Sequence, residues 1–270
     1  MIDIGVNLAD SSFDKDREEV LARAKAAGID SMIITGTSVR QSKKALELAN
    51  EYGLFSTAGI HPHDASSFDA RSMPELRALC QNDRVVALGE CGLDFFRDVS
   101  PRKQQIEVFV KILELAVDVN LPIFLHERNA LDETITILND FKTSLPKTVI
   151  HCFTGDKDAL KKYLDLGLYV GVTGWVCDER RGSDLQQCIN LIPDNRLMVE
   201  TDAPYLLPRT IRPKPKTRRN EPKHLVHVAQ KCAELRQQSL ETLQIKTNQT
   251  TKEFFGLQVP HHPTTLKKAL

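Results

Sequence analysis

The stretch VVALGECGLD, residues 85–94, carries an apolar run and a glycine straight into Glu90. Valine and leucine without polar alternation predict a strand buried on both faces, as in a parallel sheet. A carboxylate at the end of such a strand is costly unless another group pairs with it. The fold must therefore bring a partner for Glu90 to the end of this strand.

Similar apolar runs recur along the chain, and amphipathic segments with helical spacing separate most of them. The segment 13–28, for example, keeps its apolar residues on one face and ends at Gly28, a common C-terminal signal. The predicted strands cover residues 2–7, 31–37, 54–61, 85–90, 122–127, 148–153, 168–174 and 196–202. The predicted helices cover 13–28, 39–53, 73–81, 130–141, 157–166, 183–191, 222–236 and 239–255, and a long one starts at Ser100-Pro101.

Eight strands alternating with helices predict an α/β protein with a (β/α)8 TIM barrel. A doubly wound open sheet is the structural alternative. The 270 residues fit one such barrel, and no repeat or low-complexity linker indicates a second domain. We expect a single domain over residues 1–257 and a flexible tail over 258–270, where His261-His262 reads as a solvated pair.

Composition indicates the class of protein but does not predict which ligand it binds. Lys+Arg and Asp+Glu both number 36, so net charge predicts no particular ligand, and 41% apolar residues argue against disorder. The six cysteines form no CxxC pair, and the N-terminus MIDIGVNLAD lacks the features of a signal peptide. No apolar window is long enough to span a membrane. We expect a cytoplasmic protein with reduced thiols that needs no assembly beyond a monomer.

Chemically active side chains fall at the predicted strand ends, where TIM barrels hold their active sites. His61 lies in GIHPHD, His126 in FLHER, His151 in VIHCF and Asp202 in VETDAP, so all four would converge with Glu90. A lone histidine there is more often a hydrogen-bonded core residue, and Glu90 alone could pair with an arginine. Their convergence instead favours a divalent cation, which binds imidazoles and carboxylates and keeps buried carboxylates charged.

Several motifs in order along the chain resemble the TatD family of metal-dependent deoxyribonucleases. They are GIHPHD, GECGLDF, LHER, HCFTG, GVTGW, and ETDAPYLLP followed by RRNEP. Two further stretches, DIGVNLADSSF and TGWVCDERRG, are most similar to the 3′–5′ exonucleases of that family. The resemblance implies a metal-dependent hydrolase barrel and exonuclease action on single-stranded DNA or RNA.

The resemblance also implies roles for individual residues. Glu90, His126 and His151 match the family's metal ligands, with Asp202 completing the centre. A water activated by the cation would attack phosphorus, with Asp202 as the base and His61 orienting the phosphate or protonating the leaving oxygen. We expect Mg²⁺, with Mn²⁺ or Zn²⁺ as alternatives.

The first strand departs from the family pattern. Many members begin with Asp-x-His-x-His, but this chain has Asp3, Gly5 and Asn7 at those positions. Glycine offers no ligand and an amide oxygen is a weak one, so the first metal position is thinned or absent. The change favours oxygen-binding Mg²⁺ or Mn²⁺ over zinc.

Basic and aromatic residues follow the predicted strand ends. Arginine binds phosphate in a bidentate way and aromatic rings stack on bases, although a solvated loop at 208–223 and ordinary loop packing are the alternatives. The candidate phosphate contacts are His61, His63, Arg128, Arg180, Arg181, Arg218 and Arg219; the candidate stacking residues are Phe95, Phe96, Trp175 and Tyr205. Cys91 and Cys152 each follow a candidate ligand, so strand alternation should turn their thiols away from the metal.

Two other hypotheses remain at this point. An amidohydrolase-type lactonase or deacylase could use the same barrel, although the basic loop argues against a small neutral substrate. A nucleic-acid-binding protein with a degenerate metal site would explain Gly5 and Asn7.

Overall fold

Eight parallel strands lie side by side in chain order in the computed structural model, which describes residues 1–258. The strands are β1 (Ile2–Val6), β2 (Ser31–Ile34), β3 (Phe55–Ala58), β4 (Val85–Asp94), β5 (Ile123–Arg128), β6 (Thr148–Ile150), β7 (Tyr169–Val172) and β8 (Leu197–Val199). The α-helices are α1 (Arg17–Ala26), α2 (Val39–Tyr52), α3 (Ser72–Leu79), α4 (Arg102–Val119), α5 (Leu131–Asp140), α6 (Lys157–Asp165), α7 (Ser183–Cys188), α8 (Leu225–Leu235) and α9 (Leu240–Phe255).

Backbone hydrogen bonds join the two ends of the sheet. The Asp202 N–H donates to the Gly5 carbonyl at 2.9 Å, and the Asn7 N–H donates to the Ala203 carbonyl at 2.8 Å. These bonds continue the parallel pattern between β1 and the residues after β8, and so bring the sheet round on itself. The predicted (β/α)8 barrel is confirmed, and the open sheet is excluded.

Local sequence explains where the helices begin and end. Helix α2 starts where the Ser38 hydroxyl accepts the Gln41 N–H, and it ends at Gly53, whose φ of 68° is left-handed. Helix α9 repeats the arrangement with Ser239 at its start and Gly256, φ 67°, at its end. Serine and glycine therefore fix these boundaries before any packing is considered.

Two apolar layers hold the barrel. The larger one lies between the strands and the surrounding helices, and a smaller one fills the barrel interior with residues such as Ile4, Phe124 and Met198. From α9, Phe254 and Phe255 join the interior cluster, where Phe254 lies 4.7 Å from the Tyr169 ring at the start of β7. The bottom of the barrel is thus closed, and the opposite end carries the loops.

Several predicted boundaries were wrong. Strand β4 runs on to Asp94 because it keeps pairing with β5, whereas β6 stops at Ile150. The segment 13–28 does not form one helix: a short 3-10 turn over Ser11–Phe13 precedes α1, which begins at Arg17. Likewise 183–191 divides into α7 and a 3-10 turn, Ile189–Leu191.

Of the predicted tail, 258–270, all but the first residue lies outside the described part of the chain, His261 and His262 included. Among residues 1–258, none of the helices combines the length and apolar character that crossing a membrane requires.

Candidate metal centre

Three imidazoles meet one carboxylate oxygen at the mouth of the barrel. Glu90 Oε1 lies 2.8 Å from His151 Nε2, 2.9 Å from His126 Nδ1 and 3.3 Å from His61 Nε2. Glu90 lies on β4 and His126 on β5, while His61 and His151 follow β3 and β6. The structure therefore brings together four of the predicted site residues, from four neighbouring strands.

Close backbone approach lets β4 and β5 share this site. A Cβ at Gly92 would lie 2.0 Å from the His126 carbonyl oxygen, and the φ of Gly92 is 132°. Only glycine fits here, since any side chain would push β4 away from β5. Gly92 thereby keeps His126 within reach of Glu90.

The charges in the cluster support one another. Burial alone would raise the pKa of the Glu90 carboxyl, but the charge of His151 and hydrogen bonds from His126 and His151 hold that pKa well below its usual range. Burial likewise opposes a charge on His151, yet Glu90 and Glu200 raise the pKa of its imidazole well above the ordinary value. The site is therefore built to hold a carboxylate together with cationic partners.

One buried nitrogen of the cluster makes no hydrogen bond to a described residue. His126 Nε2 is buried and has no hydrogen-bond partner, and its nearest carboxylate oxygen, on Asp94, is 3.6 Å away. The ligand atoms of Glu90 and His126 lie within 4.8 Å of each other. An orphaned imidazole nitrogen beside an ionised carboxylate fits a divalent cation.

His61 differs from the other two histidines in its proton position. Its Nδ1 accepts the His63 backbone N–H at 3.0 Å, so the neutral ring carries its proton on Nε2, the atom facing Glu90. Burial lowers the pKa of His61, which keeps this ring neutral. A nitrogen that carries a proton cannot bind a cation, so His61 acts here as a hydrogen-bond donor.

Carboxylates dominate the opposite side of the mouth, at β1 and β8. Asp3 accepts the Thr201 hydroxyl at 2.5 Å and the Thr201 N–H at 2.9 Å, and Asp202 Oδ1 accepts the Asn7 side-chain amide at 2.9 Å. Burial raises the pKa of both aspartates to about 7. The nearby Glu90 and Glu200 charges add to the effect on Asp202, and His151 opposes it.

Glu200 fills the space beside position 5 of the first strand. A Cβ at Gly5 would lie 2.4 Å from Glu200 Oε2, and one at Gly171 would lie 2.7 Å from Glu200 Oε1. The carboxylate therefore occupies the space in which a side chain at position 5 would stand. From there it accepts the Cys152 N–H at 2.5 Å and lies 3.3 Å from His151 Nδ1.

Glu200 was not among the predicted site residues, although it lies next to Thr201 and Asp202 in the ETD motif. A carboxylate on the other nitrogen of a ligating histidine fixes the orientation of that ring. Its place at the end of the eighth strand was one sequence signal, and the two glycines facing it, on β1 and β7, were another whose meaning depends on strands far apart in the chain.

The predicted phosphate contacts occupy different environments. His63 Nε2 lies 2.7 Å from Asp94 Oδ2 beside the cluster, and Arg128 ends β5. Arg180, Arg181 and Arg218 are exposed. Arg219, by contrast, is committed to ion pairs with Asp16 and Glu221, at 2.6 and 3.3 Å, which tie its loop to α1. For Arg219 the structure thus provides a structural partner in place of a phosphate.

The predicted stacking residues also differ in their surroundings. The Phe95 ring packs against the outer apolar layer under the Arg102 guanidinium, 4.5 Å from the ring centre. The Trp175 indole is half-buried and donates to the Arg181 carbonyl at 3.1 Å. Tyr205, at 54% exposure, is open to solvent. Phe95 therefore faces away from the mouth, contrary to the prediction.

The two cysteines next to candidate ligands behave differently. Cys91 is buried in the outer apolar layer, as strand alternation predicted. For Cys152 the alternation argument was wrong, because β6 has already ended and Cys152 has a φ of 47°. Its thiol lies 3.6 Å from the Thr173 hydroxyl, and burial raises its pKa to about 12, so it stays a thiol.

Comparison with known proteins agrees with this geometry. The profile of the family described as TatD related DNase matches residues 2–256. The chain is 46% identical over 258 residues to the "3′-5′ ssDNA/RNA exonuclease TatD" of Escherichia coli K12, covering 95% of this chain and 99% of that protein. It is 48% identical over 259 residues to the protein of the same name from Erwinia amylovora, covering 95% and 100%.

Solved structures show the same fold. A TatD homologue from Escherichia coli K12, YJJV, superposes with a TM-score of 0.87 at 28% identity, over 95% of this chain and 98% of that one. A TatD family hydrolase from Entamoeba histolytica gives the same TM-score and identity, over 94% and 97%.

Proposed function

We propose, from the premise that this chain belongs to the family of TatD-related DNases, that its barrel mouth hydrolyses phosphodiester bonds at the 3′ end of single-stranded DNA or RNA. The curated relatives are named 3′-5′ ssDNA/RNA exonucleases. The observation that carries the proposal is the convergence of three imidazoles on Glu90 Oε1, with His126 Nε2 left without a partner.

Glu90, His126 and His151 would hold the cation, with Asp202 at the opposite side of the mouth. A divalent cation bound there lowers the pKa of a coordinated water and polarises a phosphoryl oxygen. We favour Mg²⁺, with Mn²⁺ next and Zn²⁺ last, because the first strand supplies no histidine and the substrate phosphate would add oxygen ligands to those of Glu90.

Asp202 is the proposed general base. Its Oδ1 is held by the Asn7 amide, and its Oδ2 makes no hydrogen bond to a described residue. A pKa raised to about 7 by burial suits a group that must accept a proton from the attacking water near neutral pH. Asn7 thus fixes the carboxylate so that Oδ2 can face the water.

His61 is the proposed donor to the scissile phosphate. Its proton lies on Nε2 because Nδ1 accepts the His63 N–H, so it can donate to a phosphoryl oxygen or to the leaving oxygen. Beyond it, Arg128 and the exposed Arg180, Arg181 and Arg218 supply charge along the strand. The six cysteines are all free, which suits a cytoplasmic protein.

The test is a metal titration with a single-stranded oligonucleotide labelled at either end. With the 3′-labelled strand we expect early release of a labelled mononucleotide, and with the 5′-labelled strand a ladder of shortened products. Both should appear only when a divalent metal is added. Glu90→Gln should abolish both signals. Glu127→Gln is the matched control, because Glu127 lies on β5 but accepts from the Ala130 N–H and the Tyr163 hydroxyl, outside the cluster.

Two outcomes would overturn the proposal. Unchanged cleavage in Glu90→Gln would remove the cluster from the reaction. Retained strand binding by the wild type, without cleavage by any metal, would identify a nucleic-acid-binding protein with a disarmed site.

A further inference from the structure

We propose that Phe96 and Arg128 form a nucleotide-binding subsite beside the metal centre, in which an unpaired base stacks on Phe96 and Arg128 contacts the adjoining phosphate. The proposal also assigns Asp94 as the residue that positions this subsite. It deepens the proposed function and rests on it.

Strands β4 and β5 project beyond their neighbours at the mouth. Strand β3 last pairs with β4 at Leu88, and β6 last pairs with β5 at Leu125, yet β4 and β5 continue to pair up to Asp94 and Arg128. The Phe95 N–H then donates to the Arg128 carbonyl at 2.9 Å, which extends the pairing by one more bond. The pair therefore forms a two-stranded lip above the Glu90 cluster.

Strand alternation decides which side chains of the lip face the mouth. Cys91 and Leu93 lie in the outer apolar layer, and Phe95 packs against that same layer. On β5, alternation places Arg128 on the face of His126. Phe96 follows the end of β4, in the turn over residues 95–97, and joins that face because the Arg128 guanidinium lies over its ring, 4.2 Å from the ring centre.

Asp94 fixes the tip of the lip. Its carboxylate is 1% exposed, and Oδ1 accepts the backbone N–H groups of Phe96 and Arg97, at 3.0 and 2.8 Å. Its other oxygen lies 2.7 Å from His63 Nε2. One buried side chain thus ties the Phe96 backbone to a histidine at the rim of the metal centre.

Buried hydrogen bonds hold the Asp94 backbone in turn. Gln105 Oε1 accepts the Asp94 N–H at 2.9 Å, and Gln105 Nε2 donates to the Ser100 carbonyl at 2.8 Å. The Ser100 hydroxyl donates to the His63 carbonyl at 2.8 Å. The loop between β4 and α4 is therefore rigid at its base, which lowers the entropy cost of binding on its tip.

The exposed Phe96 ring and the partly buried Arg128 at the tip match a nucleotide. Phe96 is 55% exposed, an unusual state for a large apolar ring, and the Arg128 guanidinium lies over one face of it, 4.2 Å from the ring centre. A base is flat and neutral and brings a phosphate with it, so it can cover the free face of the ring while the phosphate reaches the guanidinium. Only an unpaired base can do so, which agrees with a single-stranded substrate.

The test compares an oligothymidylate with the same strand made abasic at its 3′-terminal nucleotides, by fluorescence anisotropy in EDTA. We expect Phe96→Ala to lose about tenfold in affinity for the base-bearing strand and little for the abasic one. Arg128→Gln should weaken both equally and lower the salt dependence by about one phosphate contact. Val99→Ala is the control, because Val99 is a 61% exposed apolar residue in the same loop.

The positioning role of Asp94 has its own readout. Asp94→Ala should lower the ratio of base-bearing to abasic affinity as far as Phe96→Ala does, and the double variant should lower it no further. Asp94→Asn should restore the ratio, because its amide oxygen can still accept the two backbone N–H groups.

Equal losses on both strands in Phe96→Ala, or the same base-dependent loss in Val99→Ala, would overturn the subsite. The proposed function can fail separately. A wild type that binds bases through Phe96 but cleaves no strand with any metal would refute only the nuclease. A wild type that cleaves while Phe96→Ala keeps the full base preference would refute only the subsite.

Discussion

On the β3–β6 side of the mouth Glu90 meets three imidazoles, whereas on the β8–β1 side Asp3 and Asp202 meet amide and hydroxyl groups of the protein. The first side leaves an imidazole nitrogen without a partner. On the second side, Glu200 stands where a side chain at Gly5 would project. This difference supports our proposal that the cation is bound on the histidine side, while Asp202 on the carboxylate side accepts a proton.

The largest effect should follow from removing the charge at the centre of the histidine side. Glu90→Gln should weaken Mn²⁺ binding and cut the rate of strand cleavage on the order of a thousandfold or more, because it removes a ligand and the counter-charge of the imidazoles. Calorimetric titration with Mn²⁺ measures the first quantity and the end-labelled digestion the second. If Glu90→Gln bound Mn²⁺ as tightly as Glu127→Gln, metal binding would not depend on the histidine side.

Filling the carboxylate side should cost stability. In Gly5→Ala the new Cβ would lie 2.4 Å from Glu200 Oε2 and 2.9 Å from Phe124 Cζ, so the free energy of unfolding should fall by about 3 kcal/mol. Urea unfolding measures the change. Asn7→Ala on the same strand should cost only about 1 kcal/mol, for one hydrogen bond. A stable Gly5→Ala would mean that Glu200 can move aside to admit a first-strand ligand.

Acid should lower the stability of the carboxylate side by protonating His224, which lies outside the mouth. His224 Nδ1 donates to Asn220 Oδ1, and Asn220 donates to the Thr201 carbonyl next to Asp202. Burial and the neighbouring Lys223 lower the pKa of His224 to about 4, so its contribution is complete above pH 6.5 and is lost as pH falls through 4.

His224→Gln should therefore show a shallower fall in melting temperature between pH 6.5 and 4 than the wild type. Thermal unfolding across that pH range measures it. Parallel curves for the two proteins would show that His224 does not titrate as described.

The smallest effect separates two adjacent arginines. Arg219→Ala should lower the free energy of unfolding by about 1 kcal/mol, through Asp16 and Glu221, and leave the salt dependence of strand binding unchanged. Arg218→Ala should have the opposite effect. It should leave the free energy of unfolding unchanged and lower the salt dependence of strand binding by about one phosphate contact. Chemical unfolding and salt-dependent anisotropy distinguish them, and a reduced slope in Arg219→Ala would return it to the phosphate contacts.

Sequence reasoning reached the parts that depend on parallel strand ends meeting at one edge. His61, Glu90, His126 and His151 could be grouped in this way because each follows an apolar run. Their mutual distances could not be derived, since these depend on the close approach of β4 and β5 at Gly92.

Other features depended on contacts that no local pattern encodes. Distinguishing Phe96 from Phe95 required knowing that β4 ends at Asp94 and that the following turn brings Phe96 under the Arg128 guanidinium. The role of Glu200 depended on glycines in β1 and β7. The pairing of Arg219 with Asp16 joins residues some 200 positions apart.

The most direct test of the central claim is the electron spin-echo modulation of Mn²⁺ bound to the protein. Coordination on the histidine side predicts nitrogen-14 modulation from imidazole in the wild type, reduced in His126→Gln and unchanged in Asp3→Asn. Tightly bound Mn²⁺ without nitrogen modulation, or modulation unaffected by His126→Gln but lost in Asp3→Asn, would contradict the claim and place the cation among the carboxylates.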